Sequence, residues 1–77
     1  MMYRVVEIEC DSELFVEKIL YKSFEEQLCW DYLEQVLLMR ERSCTVGNSL
    51  FVIDSKGQYK DPPAEIKTLY LNNLEPV

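Results

Sequence analysis

Histidine is absent from the 77 residues, and with it goes every mechanism built on an imidazole base or metal ligand. Glycine is nearly as scarce. Its two copies, Gly47 and Gly57, sit at turn positions and form neither a phosphate-cradling loop nor a nucleophile elbow. Bases number eight against fourteen acids, a net charge of −6. That balance excludes a basic stripe that displaces counterions from nucleic acid, and a polybasic membrane anchor. The longest stretch free of charge, Ser43 to Ile53, has 11 residues and is too short to cross a bilayer. Near the start, Arg4, Glu7 and Glu9 interrupt what a secretory leader would keep apolar, so a cytoplasmic chain is expected. The cysteines Cys10, Cys29 and Cys44 are odd in number, and their gaps of 19 and 15 residues match no zinc or redox spacing. They are expected to be reduced, half-buried thiols acting as small hydrophobes. No metal or cofactor is expected.

What is present argues for a folded chain. Hydrophobic residues make up 48% of the sequence and aromatics 12%, which is too apolar for disorder. The length allows one small domain over residues 1–77 with a thin core. Residues 3–10 and 14–22 are β-branched and aromatic with period-2 character, which predicts a hairpin. A two-residue turn at Ser12-Glu13 pairs Glu7 with Lys18, Cys10 with Phe15 and Val6 with Ile19; a three-residue turn would oppose Glu7 and Glu17. One face then reads Val6, Ile8, Cys10, Phe15, Ile19 and Tyr21, with Arg4 and Glu17 as its polar members, and is the expected core. The opposite face mixes Tyr3, Val5, Val16 and Leu20 with Glu7, Glu9, Lys18 and Lys22.

Ser23-Phe24-Glu25-Glu26 has the form of a capping box, opening a helix from Phe24 to about Arg42. Its apolar arc includes Leu28, Cys29, Trp30, Tyr32, Leu33, Val36, Leu37 and Met39. An arc of roughly 200° is wider than one sheet can cover, so the helix is expected to meet two surfaces. Ser49–Ile53 predicts a strand, Asp54–Gly57 a turn and Gln58–Lys60 a short return. A last helix is expected to start at Asp61-Pro62-Pro63, with Ile66, Leu69 and Tyr70 inward and Leu71 and Leu74 on a neighbouring stripe. Glu75–Val77 reads as a frayed end. The pattern is ββαβ(β)α, an α+β domain with a small antiparallel sheet packed on one long helix.

Catalysis finds little support, and a non-enzymatic protein is expected. Glu7, Glu9, Asp11 and Glu13 alternate along a strand, but neighbours on one face lie roughly 6.5–7 Å apart, too far to share an ion unaided. A solvated edge that discourages strand pairing explains them. The acidity itself is one-sided: residues 7–34 hold nine acids and two bases, whereas residues 35–77 hold five of each. Such a field attracts a basic partner. Glu7, Glu9, Glu25, Glu26, Asp31 and Glu34 are the candidate contacts, with Trp30, at the margin of the helix's apolar arc, either a structural residue of the core rim or an interface anchor. Tyr3, Tyr21, Tyr59 and Tyr70 are core-edge or contact residues.

By pattern, the apolar residues outnumber what so small an interior can hide. A homodimer using Tyr3, Val5, Val16, Leu20 and Leu37 would resolve the excess. The leading expectation is therefore an acidic protein-binding module, an inhibitor or adaptor that occludes a basic, nucleic-acid-binding surface of a protein partner. Neither nucleic acid nor membrane is a direct partner in this reading. In size and acid balance the chain resembles small viral proteins that block a host or defence protein, some by mimicking nucleic-acid charge. That is an analogy without a shared motif. The alternative is an oligomer that sequesters a small ligand or nucleotide, with cationic contacts from Arg4, Lys18, Lys22, Arg40 or Arg42.

Overall fold

The computed structural model describes residues 1–11, 14–44 and 47–74. Strand β1 spans Tyr3–Asp11, β2 Leu14–Ser23 and β3 Ser49–Asp54; helix α1 spans Glu26–Ser43 and α2 Lys67–Leu74. The strands form one antiparallel sheet in the order β2-β1-β3, with both helices against one face, the α+β arrangement expected. The register is the one dictated by charge: Glu7 opposes Lys18, Cys10 opposes Phe15 and Val6 opposes Ile19. The turn at Ser12-Glu13 and the chain end at Glu75–Val77 lie outside the described residues, as do the side chains of Cys10 and Phe15.

The core face is the opposite of the one expected. A bulge shifts the β1–β2 register between Val5 and Val6, so Val5 opposes Tyr21, and Leu20 and Tyr21 both pack towards the helices. The main core gathers Val5, Leu50 and Val52 from the sheet, Cys29, Trp30, Leu33 and Leu37 from α1, and Ile66 and Tyr70 from the chain around α2. Topology selects that face. β2 and β3 both run antiparallel to β1 and therefore parallel to each other, which makes α1 a crossover. Crossovers have one favoured hand, a preference that a count of apolar residues on the two faces does not register.

The expected core face forms a second, shallower cluster of Val6, Ile8 and Ile53 with Phe51 against it. These side chains are buried although no helix lies over them. The Arg4–Glu17 ion pair (3.5 Å) and the edge-to-face contact of Phe51 with Tyr59 (5.1 Å) belong to this face.

Local chemistry revises both helix starts. β2 continues to Ser23, whose Oγ accepts the Glu25 N–H (3.1 Å), so α1 begins at Glu26 with Glu25 as an extended N-cap lacking a side-chain bond. Glu26 does not close a capping box; its carboxylate accepts the Trp30 Nε1–H (3.0 Å). At the other end of the chain, residues 63–66 form turns, with Ile66 N–H bonded to the Pro63 carbonyl (3.2 Å). Pro62 precedes a second proline and is biased away from helical backbone, which delays α2 to Lys67. Ile66, Leu69 and Tyr70 do face the core, while Leu71 is exposed; the Leu74 side chain lies outside the described residues.

The turn after β3 forms as expected. The Asp54 carboxylate accepts the N–H groups of Lys56 and Gln58 (both 2.9 Å), and Gly57 adopts φ +83°, a conformation that favours glycine. The return is a single bridge between Tyr59 and Ile53.

Candidate acidic groove

Trp30 is the centre of the arrangement, and of its two readings the structural one holds and the interface anchor does not. It is 2% exposed. Tyr70 meets it edge to face, with ring centroids 5.6 Å apart at 86°, and the Tyr70 hydroxyl donates to the Leu50 carbonyl (2.9 Å). The residues around α2 are thus the second surface that the wide apolar arc of α1 demanded. Burial pushes the Tyr70 phenol up to about 12, with the neighbouring Tyr59 adding to the rise. Burial likewise raises the Cys29 thiol; a backbone hydrogen bond from Ser23 opposes it and the Glu26 charge reinforces it. Cys29 is a core side chain, as expected, whereas Cys44 is exposed.

Where residues 63–66 cross α1 they leave a groove of about 300 Å³ lined by Gln27, Trp30, Asp31, Glu34, Pro63, Glu65 and Ile66. Gln27 Nε2 donates to Asp31 Oδ1 (2.9 Å) and orients that carboxylate along the helix. Asp31 and Glu34 are one turn apart on α1, and Glu65 faces them from the opposite wall. Among the described residues, no lysine or arginine forms an ion pair with any of the three. Carboxylates on the rim with Pro63 and Ile66 as an apolar wall suit a long cationic side chain, which buries its stem and keeps its charge among the acids.

The expected contact residues divide. Trp30, Asp31 and Glu34 come together in the groove, and Glu26 adjoins it through the indole. Glu25 stands exposed at the start of α1. Glu7 is elsewhere and already engaged, its carboxylate 3.0 Å from Arg40; Glu9 is exposed on β1 opposite Val16. Glu65 was missed, since nothing in its local pattern marks it. Only the double proline, which folds residues 63–66 against α1, brings it in.

The expected self-association surface does not survive as a surface. Val5 and Leu37 are core residues, and Tyr3 and Leu20 pack half-buried against that core. Val16 alone is exposed, at 50%. The crossover placed α1 over that side of the hairpin and sealed it. Among the described residues no three Cys, Asp or Glu side chains form a group that could hold a metal ion, and no helix is long and apolar enough to cross a membrane. Of the alternating acids, Glu13 and the Asp11 side chain lie outside the described residues.

No family model matches the sequence, no curated protein matches it, and no solved structure matches the fold.

Proposed function

We propose that the chain is a non-enzymatic binding module whose acidic groove takes a lysine or arginine side chain of a protein partner and so occludes a basic surface, one of the kind that otherwise meets nucleic acid. The observation that supports this is the convergence of Asp31, Glu34 and Glu65 on an apolar wall, with no lysine or arginine paired to them among the described residues. The net charge of −6 adds a long-range field that speeds encounter with such a partner.

The test is binding to a short arginine-rich peptide, read by fluorescence anisotropy at two salt concentrations. The triple substitution Asp31→Asn, Glu34→Gln, Glu65→Gln is expected to weaken binding by roughly tenfold or more, in line with the loss of close charge pairs. Glu9→Gln with Glu41→Gln removes two exposed acids outside the groove and is expected to change it by less than about threefold. Equal losses from the two variants would reduce the groove to bulk charge and overturn the proposal.

A further inference from the structure

The outer side of α1 carries a pattern that the fold uses only at Tyr32, which packs half-buried at the edge of the core. Starting from the extended N-cap Glu25 just before the helix, Leu28, Tyr32, Gln35, Met39 and Arg42 follow at spacings of 3, 4, 3, 4 and 3, the repeat of a helix-pairing seam. At 100° per residue this stripe lies opposite Leu37 and Leu33, which face the core. Two of its apolar members are uncovered, Leu28 at 42% exposed and Met39 at 66%, and Phe24 beside the seam is 73% exposed. Tyr32 is held by stacking on Tyr21, with centroids 4.8 Å apart and planes at 6°. A groove of about 500 Å³ runs past Tyr32, Gln35, Val36 and Met39.

The order of residues along the seam says what covers it. The seam starts with an acid, ends with a base and is apolar or neutral between. Set antiparallel to a copy of itself, it places Glu25 against Arg42, Leu28 against Met39 and Tyr32 against Gln35, each layer occurring twice about a two-fold axis. A parallel pair would instead oppose Glu25 to Glu25 and Arg42 to Arg42. Among the described residues, neither Glu25 nor Arg42 forms an ion pair within its own chain. The acids Glu26, Asp31 and Glu34 and the base Arg40 follow the same charge gradient along the helix, which Glu41 beside Arg42 interrupts.

We propose that α1 docks on α1 of a second copy in antiparallel register, forming a two-fold dimer with Leu28, Tyr32 and Met39 at its centre. The dimer does not rest on the acidic-groove reading: Glu34 and Glu65 lie outside the seam, although Asp31, one turn before Gln35, borders it. With fewer than three heptads in the seam, the contact is small and reversible, in the micromolar range or weaker.

Sedimentation equilibrium of the full chain over micromolar to millimolar concentrations tests it through charge swaps. Glu25→Arg sets a guanidinium against Arg42 in both end layers, and Arg42→Glu sets acid against acid; each is expected to weaken dimerisation by roughly tenfold or more. The double substitution restores opposite charges and is expected to return the dimer to within about threefold of the parent. Thermal unfolding of each variant confirms that the fold is kept, since both residues are exposed. Leu28→Glu with Met39→Glu, a second disruption at the seam centre, is expected to leave a monomer. A parent that stays monomeric at millimolar concentration, or a dimer indifferent to every one of these changes, would overturn the proposal and leave the stripe to a different protein.

Discussion

Arg40 joins three parts of the chain at one guanidinium. It bonds the Glu7 carboxylate on β1 (3.0 Å) and the Asn48 carbonyl before β3 (2.8 Å), and it lies across Gly47. A Cβ built on Gly47 would collide with that guanidinium, 2.6 Å from Arg40 Nη2. The glycine is therefore favoured by a close approach, to the far end of a flexible side chain, and not by its backbone angle. Gly47→Ala must push the guanidinium aside and is expected to destabilise the fold by about 1 kcal/mol, the worth of the bonds lost. In an Arg40→Ala background the same change should be neutral or slightly stabilising, because alanine restricts the unfolded chain. Urea unfolding of the four chains of this double-mutant cycle measures the coupling; additive effects would show that Gly47 and Arg40 do not interact.

Tyr70 gives the opposite pH signature to a carboxylate. Its phenol ionises near 10 when unfolded and at about 12 when folded. Stability from this group is thus complete below pH 10 and is lost as pH rises towards 12. Tyr70→Phe removes the hydrogen bond to Leu50 and is expected to cost about 0.5–1.5 kcal/mol at neutral pH. It should also flatten the fall in stability between pH 10 and 12; denaturant midpoints across that range provide the check.

At the scale of elements, the turn joining β3 to its return depends on one carboxylate. Hydrogen bonds from the Gln58 and Lys56 N–H groups, with the charges of Lys60 and Lys56, hold Asp54 below its ordinary value although burial opposes them. Its contribution is present above the unfolded carboxylate range, near about 3.9, and is lost as pH falls through the lower folded value. Asp54→Asn is expected to lower the unfolding midpoint at pH 7 and to leave a shallower loss in acid. Equal acid sensitivity in both chains would contradict this.

The same elements show what was legible in the residues. Charge alone fixed the hairpin register, because Glu7 needed Lys18, and the length and spacing of residues 49–53 marked β3. The covered face was illegible, since both faces of the hairpin carry apolar residues and the hand of a crossover leaves no local trace. The bulge at Leu20 and Tyr21 hid for a related reason: an extra residue among large apolar side chains breaks no pattern. The capping box failed because a strand claimed Ser23 first. In the candidate site, Asp31 and Glu34 were visible as charges on one helix, but Glu65 joins them through a turn that sequence spacing does not describe.

The whole molecule is a slab of two layers, with Cα extents of 34 × 33 × 17 Å. One layer is the sheet, the other the two helices, so each outward face lies a single side chain from the interior. This is why the outer stripe of α1 has no third layer to meet, and why Val6, Ile8 and Ile53 depend for burial on side chains of their own face, Phe51 among them. The thin dimension also governs how the particle moves. Stacking two slabs helix layer to helix layer doubles the short axis to about 34 Å, twice the 17 Å of one copy, and leaves the long axes nearly unchanged. A flattened tablet becomes almost isometric. Its frictional ratio falls as its mass doubles, so sedimentation velocity should show the heavier species as the rounder one.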